Sequence, residues 1–345
     1  MPVRRPLRFW MLVGLLALVG AGLAGVLAGP VPLGTGKVVK ELLDRLPLVH
    51  IDSGLTDREA TILWQFRVPR VVLGGIVGAT LALSGAAYQG VFRNPLADPY
   101  LLGAAAGAGL GATLAIVHGP DTEGWPVDLL PIAAFVGALA GVAAAYLLGR
   151  SAGGGRTTTT LILAGVAVAS FLTALQTYVQ QRDADTLREV YTWILGRLST
   201  SGWSEVVLVL PYTAVSAGAI LLHRRLLDVL RVGDAEAEAL GVEVRRVRLL
   251  VVLAASLGTA AAVAVSGLIA FVGIIVPHAV RLTAGASYRL VLPLSVLFGG
   301  AFLVMSDLIA RQVSAPAEIP IGVVTAFFGA PFFAVVLWTS RKAAW

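Results

Sequence analysis

An all-α, polytopic membrane protein is the fold class the sequence predicts, and three observations predict it. Hydrophobic residues make up 57% of the 345 and charged ones only 13%, with a mean hydropathy of +0.84. A water-soluble domain cannot hide that much apolar surface. The apolar residues gather into runs of roughly 20, enough for a helix rising about 1.5 Å per residue to cross a hydrocarbon core of about 30 Å. Finally, Lys and Arg favour alternate loops: with ten spans counted, 16 of the 26 fall on the side of the N terminus and 10 on the other. That bias sets both termini in the cytoplasm. The acidic residues divide 6 and 14, so the two sides carry +10 and −4, which sum to the overall +6.

The spans lie near 9–28, 71–92, 100–117, 128–148, 158–179, 203–222, 246–266, 268–284, 289–308 and 321–340. The first begins with Arg4, Arg5 and Arg8, lacks a small-residue cleavage site and is followed by nine more, so it reads as a retained helix. Residues 1–345 are therefore expected to form a single membrane domain. There is no cysteine, which excludes disulfides and cysteine metal sites, and four scattered histidines do not make a zinc cluster. The pI near 10.0 is explained by basic cytoplasmic loops and calls for no nucleic acid.

An outer loop over 29–70 is expected to hold short surface helices around Lys37–Leu46 and Thr56–Phe66, and 181–202 mixes charges with Tyr191, Trp193 and Trp203 for the membrane interface. Within the spans, Gly103, Gly107 and Gly111 recur every four residues, as do Gly74 with Gly78 and Gly137 with Gly141, ridges along which helices approach closely. A shift of 182 residues lays Ala82, Ser84, Gly85, Pro95 and Gly103 on Ala264, Ser266, Gly267, Pro277 and Gly285. The copies would run in opposite directions, an inverted repeat of the kind that builds transporter pathways.

Chemistry is scarce. Gly34-Thr35-Gly36-Lys37 lacks the earlier glycine and following hydroxyl of a phosphate loop, with Val31 and Val38 in those places. No paired carboxylates or Ser-His-Asp set occur, so energy must come from outside the chain. In the fifth span Ser170, Thr173, Thr177 and Gln180 share one helix face, with Gln176 beside it. Such an uncharged polar stripe either lines a pathway or bonds neighbouring helices. At the inner end of that span, after Gly153-Gly154-Gly155, the hydroxyls of Thr157 to Thr160 read either as a helix cap or as a cytoplasmic constriction.

On the outer side Arg67, Arg70 and Arg311 run against the charge bias and suit an acidic partner, although Asp307 and Arg311 are also spaced to pair along one helix. The polar island at 231–248, RVGDAEAEALGVEVRRVR, predicts a short helix with acids in its first turn and Gly241 as a left-handed end. It reads as a cytoplasmic docking element for a separate motor, or as an ordinary solvated loop.

Four stretches, RVPRVVLGGIVGATLALSGAAYQGVFRNPLADPYLLG at 67–103, LILAGVAV at 161–168, GLIAFVGIIVPHAVRL at 267–282 and AEIPIGVVTAFFGAPFF at 317–333, resemble the FecCD/BtuC-like permeases. These are membrane subunits of type II ATP-binding-cassette (ABC) importers for iron-siderophores, haem and cobalamin. The resemblance implies a homodimer of ten-helix subunits with the pathway at its axis. Two ATPase subunits below would bind ATP and magnesium, and a substrate-binding protein, periplasmic or lipoprotein, would dock above. It gives Arg67, Arg70 and Arg311 the docking of that protein, Thr158 and Thr159 a cytoplasmic gate, and Gly233, Asp234, Ala235, Ala239, Leu240, Gly241 and Val242 the coupling to the ATPase. The chain itself would carry no cofactor, metal or catalytic residue. The glycine run at 153–155 with Arg156 departs from the family pattern at the gate. Iron-siderophore or haem is the first expected cargo and cobalamin the second. The rival from another class is an ion-coupled secondary transporter, which normally keeps an ionisable residue or broken helix at the midplane.

Overall fold

The computed structural model describes residues 7–45, 50–120, 128–151, 158–183, 185–198 and 202–342. Gly153-Gly154-Gly155, Arg156 and Thr157 lie outside them. The elements are α1 (Leu7–Leu27), α2 (Thr35–Asp44), α3 (Asp57–Thr61), a π-helical turn (Ile62–Arg67), α4 (Val68–Phe92), a 3-10 turn (Pro99–Leu102), α5 (Ala104–His118), α6 (Leu129–Ser151), α7 (Thr158–Arg182), α8 (Leu187–Ile194), α9 (Ser204–Leu222), α10 (Arg224–Leu230), α11 (Asp234–Ala239), α12 (Val244–Ser266), α13 (Val272–Thr283), α14 (Tyr288–Gln312) and α15 (Ile321–Lys342). Among the described residues seven helical stretches are long and apolar enough to cross a membrane, and three apolar helices are shorter. This is a multi-pass membrane protein.

The expected outer loop holds α2 and α3 as surface helices, but the second does not stop at Phe66. Thr56 caps α3 by accepting from the Glu59 N–H while the Glu59 carboxylate accepts from the Thr56 N–H. The chain then runs through the π turn directly into α4.

Helices α4 and α12 form the centre, with 78% and 72% of their apolar windows buried, whereas α7 at 17% is peripheral. Small residues make this packing. A Cβ on Gly78 would collide with the Gly299 carbonyl of α14, and one on Gly85 with Gly273 of α13. The predicted glycine ridges meet each other: Gly107 abuts the Gly137 carbonyl and Gly141 abuts that of Gly103, so α5 and α6 touch backbone to backbone.

At 15 and 12 residues, α5 and α13 rise only about 22 and 18 Å, too short to cross a core of about 30 Å alone. The irregular stretches before them, 93–103 and 267–271, therefore lie within the bundle, where their backbone groups must find protein partners. They brace each other. Tyr100 Oη donates to the Ile269 carbonyl and accepts from the Ile269 N–H, both at 3.1 Å, and the Arg197 N–H donates to the Ser266 carbonyl at 2.8 Å. The two braced stretches form part of a cavity wall.

Candidate functional site

A cavity of about 710 Å³ is built from three segments. Helix α7 contributes Ser170 and Thr173, the stretch after α4 contributes Asp98 and Tyr100, and the break between α12 and α13 contributes Phe271. Ser170 and Thr173 belong to the polar stripe the sequence singles out, whereas Thr177 and Gln180 are not among the residues lining this cavity. Ser170, Thr173 and Thr177 are exposed along α7, and Thr177 Oγ1 turns back to the Thr173 carbonyl at 2.9 Å. Gln180 departs from the expectation, since it is 8% exposed. It stands one turn beyond Gln176, whose side chain presses on Gly109 of α5, so this edge of α7 is turned into the protein.

Sequence reasoning missed the other two walls. Asp98 is the one ionisable carboxylate among the residues lining this cavity, and its Oδ1 accepts from the Tyr100 N–H at 2.8 Å as the cap of the 3-10 turn. An Asp two residues before a Tyr, between Pro95 and Pro99, was a usable signal for a turn. Nothing local signals Phe271. Thr158 opens α7 and Thr159 is exposed at its start.

The predicted elbow at 231–248 forms. Gly241, at φ 81°, ends α11 with the Val242 N–H reaching the Ala237 carbonyl at 3.0 Å and its own N–H reaching Glu238 at 2.9 Å, the paired bonds of a Schellman end. Ala237 is fully buried and holds the helix down, whereas Ala235, Ala239 and Gly241 are exposed and Leu240 presents 70% of its surface. Val242 is half-buried and Gly233 enters the helix at φ 136°. Asp234 ties α11 to its neighbours: it pairs with Arg93 at the end of α4 at 2.6 Å and with Arg248 of α12 at 3.1 Å. One helix earlier, Asp228 accepts from the Tyr288 N–H at 2.7 Å and Ser287 Oγ at 2.6 Å, joining α10 to the start of α14.

At the opposite end of the bundle the three arginines do not stand together as exposed charges. Arg67 and Arg311 are 6% and 2% exposed, because both turn inward onto the last turn of α1. Arg67 donates to the carbonyls of Val26, Leu27 and Val31; Arg311 donates to Gly25 at 3.2 Å and Ala28 at 3.1 Å. The ends of helices leave carbonyls without partners, and cations are favoured there. Arg311 also pairs with Asp307 at 2.9 Å, the alternative its spacing suggests. Only Arg70 keeps a partly accessible guanidinium, held between Asp307 and the exposed Glu318, each at 2.8 Å.

A cavity beside a polar helix face and, at one end of the same helices, an exposed helical elbow ion-paired to the bundle match a known design. The family model described as the FecCD transport family matches residues 15–339. The chain belongs to the FecCD transport family. Among similar proteins of this family, an ABC transporter permease, YvrB, of Bacillus subtilis strain 168 is 42% identical over 80% of this chain and 78% of its own length. The cobalamin import permease BtuC of Halobacterium salinarum is 42% identical over 83% and 76%. The hemin transport permease HmuU of Yersinia pestis is 38% identical over 81% and 84%. A solved structure of a metal-chelate type ABC transporter in an inward-facing conformation superposes with a TM-score of 0.81 and 28% identity, over 96% of this FecCD chain and 99% of the other.

Proposed function

We propose that this FecCD-family chain is the membrane permease subunit of an ABC importer that takes in a bulky metal chelate, iron-siderophore or haem, handed over by a substrate-binding protein. It works as a homodimer in the inner membrane with both termini in the cytoplasm, and ATP and magnesium are bound by two separate ATPase subunits. The seven long and three short apolar helices count as ten crossings. Their lengths support an inverted repeat: 25, 15, 23 and 25 residues over α4 to α7 recur as 23, 12, 25 and 22 over α12 to α15.

The observation that carries the mechanism is the route from α11 to the cavity. The ATPase presses on the exposed apex at Ala239 to Gly241, with Val242 behind it, and Asp234 passes the force to Arg93 and Arg248. Beyond Arg93 the chain becomes the wall at Leu96 to Leu101; beyond Arg248, α12 leads to the wall at Ala270 and Phe271. Both levers thus end on the cavity, where Ser170 and Thr173 offer hydroxyls to the cargo and Thr177 extends the polar face outward. Thr158 and Thr159 narrow the inner mouth. At the outer end Arg70 and Glu318 meet the binding protein, while Arg67 and Arg311 fix the frame that presents them. Cobalamin is a second cargo, favoured by the 42% identity to the Halobacterium permease.

The test is uptake into proteoliposomes holding this chain with its ATPase and binding protein, with ferric siderophore, haem and cobalamin offered in parallel. Uptake of one of them only with ATP is expected. Uptake undiminished without ATP would sink the importer reading.

A further inference from the structure

Phe271 occupies a conformation its side chain disfavours. At φ 70° and ψ −22° it lies in the left-handed region, which glycine enters freely and bulky residues rarely do. Three sets of contacts hold it there. Its carbonyl accepts from the Ile274 and Ile275 N–H groups at 3.0 and 2.9 Å, which starts α13. Two residues earlier the backbone is clamped on both sides of Ile269 by the Tyr100 hydroxyl. The ring rests on Gly329 of α15, so closely that a Cβ there would overlap it. The same residue is half-buried and lines the 710 Å³ cavity together with Ser170 and Thr173. A strained residue fixed on both sides, with its ring between a glycine seat and a cavity, is placed to control free space.

We propose that the Phe271 ring, seated on Gly329, sets the free width of the cavity and so determines the size of chelate that passes. This rests on the reading of the cavity as the pathway. With the ring seated on Gly329, as observed, the cavity keeps its full width. Filling the seat drives the ring towards Ser170 and Thr173 and narrows it.

The absence of cysteine from the chain makes a clean reporter available. With Ser170→Cys introduced into the full chain, assembled with its partners in proteoliposomes, labelling rates are compared for a small methanethiosulfonate and a bulky maleimide. Gly329→Ala should lower the bulky-to-small rate ratio several-fold, because the displaced ring obstructs the larger reagent first. Phe271→Gly keeps the positive φ and removes the ring, so it should raise the ratio. The double variant should behave as Phe271→Gly alone, since without a ring the extra methyl has nothing to displace. Should Phe271→Gly not assemble, Phe271→Asn, also tolerant of this backbone region, takes its place. Ratios unchanged in these variants overturn the role of Phe271 whatever the wild-type assembly transports. ATP-dependent uptake by the wild type tests the permease reading separately.

Discussion

Arg93 Nη2 lies 2.6 Å from Asp234 Oδ1, which fastens the end of α4 to the first residue of α11. Arg93 is itself left-handed at φ 50°, so the chain turns sharply there into the stretch that becomes the cavity wall. Both side chains are about 40% exposed, and pairs of that kind contribute only about 0.2 to 1 kcal/mol. The pair therefore matters as a linkage more than as a source of stability. Asp234→Asn should leave the thermal unfolding midpoint nearly unchanged yet lower transport per ATP hydrolysed, measured in proteoliposomes with the partner ATPase. A normal coupling ratio would remove Asp234 from the route.

Leu240 presents an apolar side chain at the apex of α11, 70% exposed, beside the exposed Ala239. Substitution at such a surface position usually changes stability by less than about 0.5 kcal/mol. Ala239→Arg with Leu240→Glu should accordingly fold normally but fail to co-purify with the ATPase. Retained assembly together with normal stimulated transport would count against an ATPase contact here.

Arg67, Arg70 and Arg311 divide by burial. Arg311→Ala strips the Asp307 carboxylate of one partner and takes the guanidinium from the Gly25 and Ala28 carbonyls, a buried loss of about 3 kcal/mol. Its expected signature is a lowered unfolding midpoint in detergent. Arg70→Glu should instead weaken binding-protein affinity, more at low than at high salt, because charge attraction between two docking surfaces is screened. Equal affinity at every salt concentration would exclude a docking role for Arg70.

What the sequence determined by itself is what short-range physics controls. Long apolar runs dictate membrane crossing, and the glycine ridges of α5 and α6 meet as their spacing requires. The α11 elbow was equally legible, because an acidic first turn and a left-handed glycine act within a few residues. Tertiary structure alone decided the rest. Arg67 and Arg311 answer to carbonyls of α1 that lie 41 and 286 residues away in the chain, so their burial has no local signature. Helical period puts Gln180 on the face of Ser170, but Gln176, one turn before it, packs on α5 and carries that edge inward. Hydropathy reads α5 and α13 as full spans, whereas their irregular approaches complete the depth and bring Asp98, Tyr100 and Phe271 to one cavity. Phe271 is left-handed where Tyr100 clamps the backbone at Ile269 and Gly329 leaves room for the ring, and contacts at that separation are made only when the helices pack.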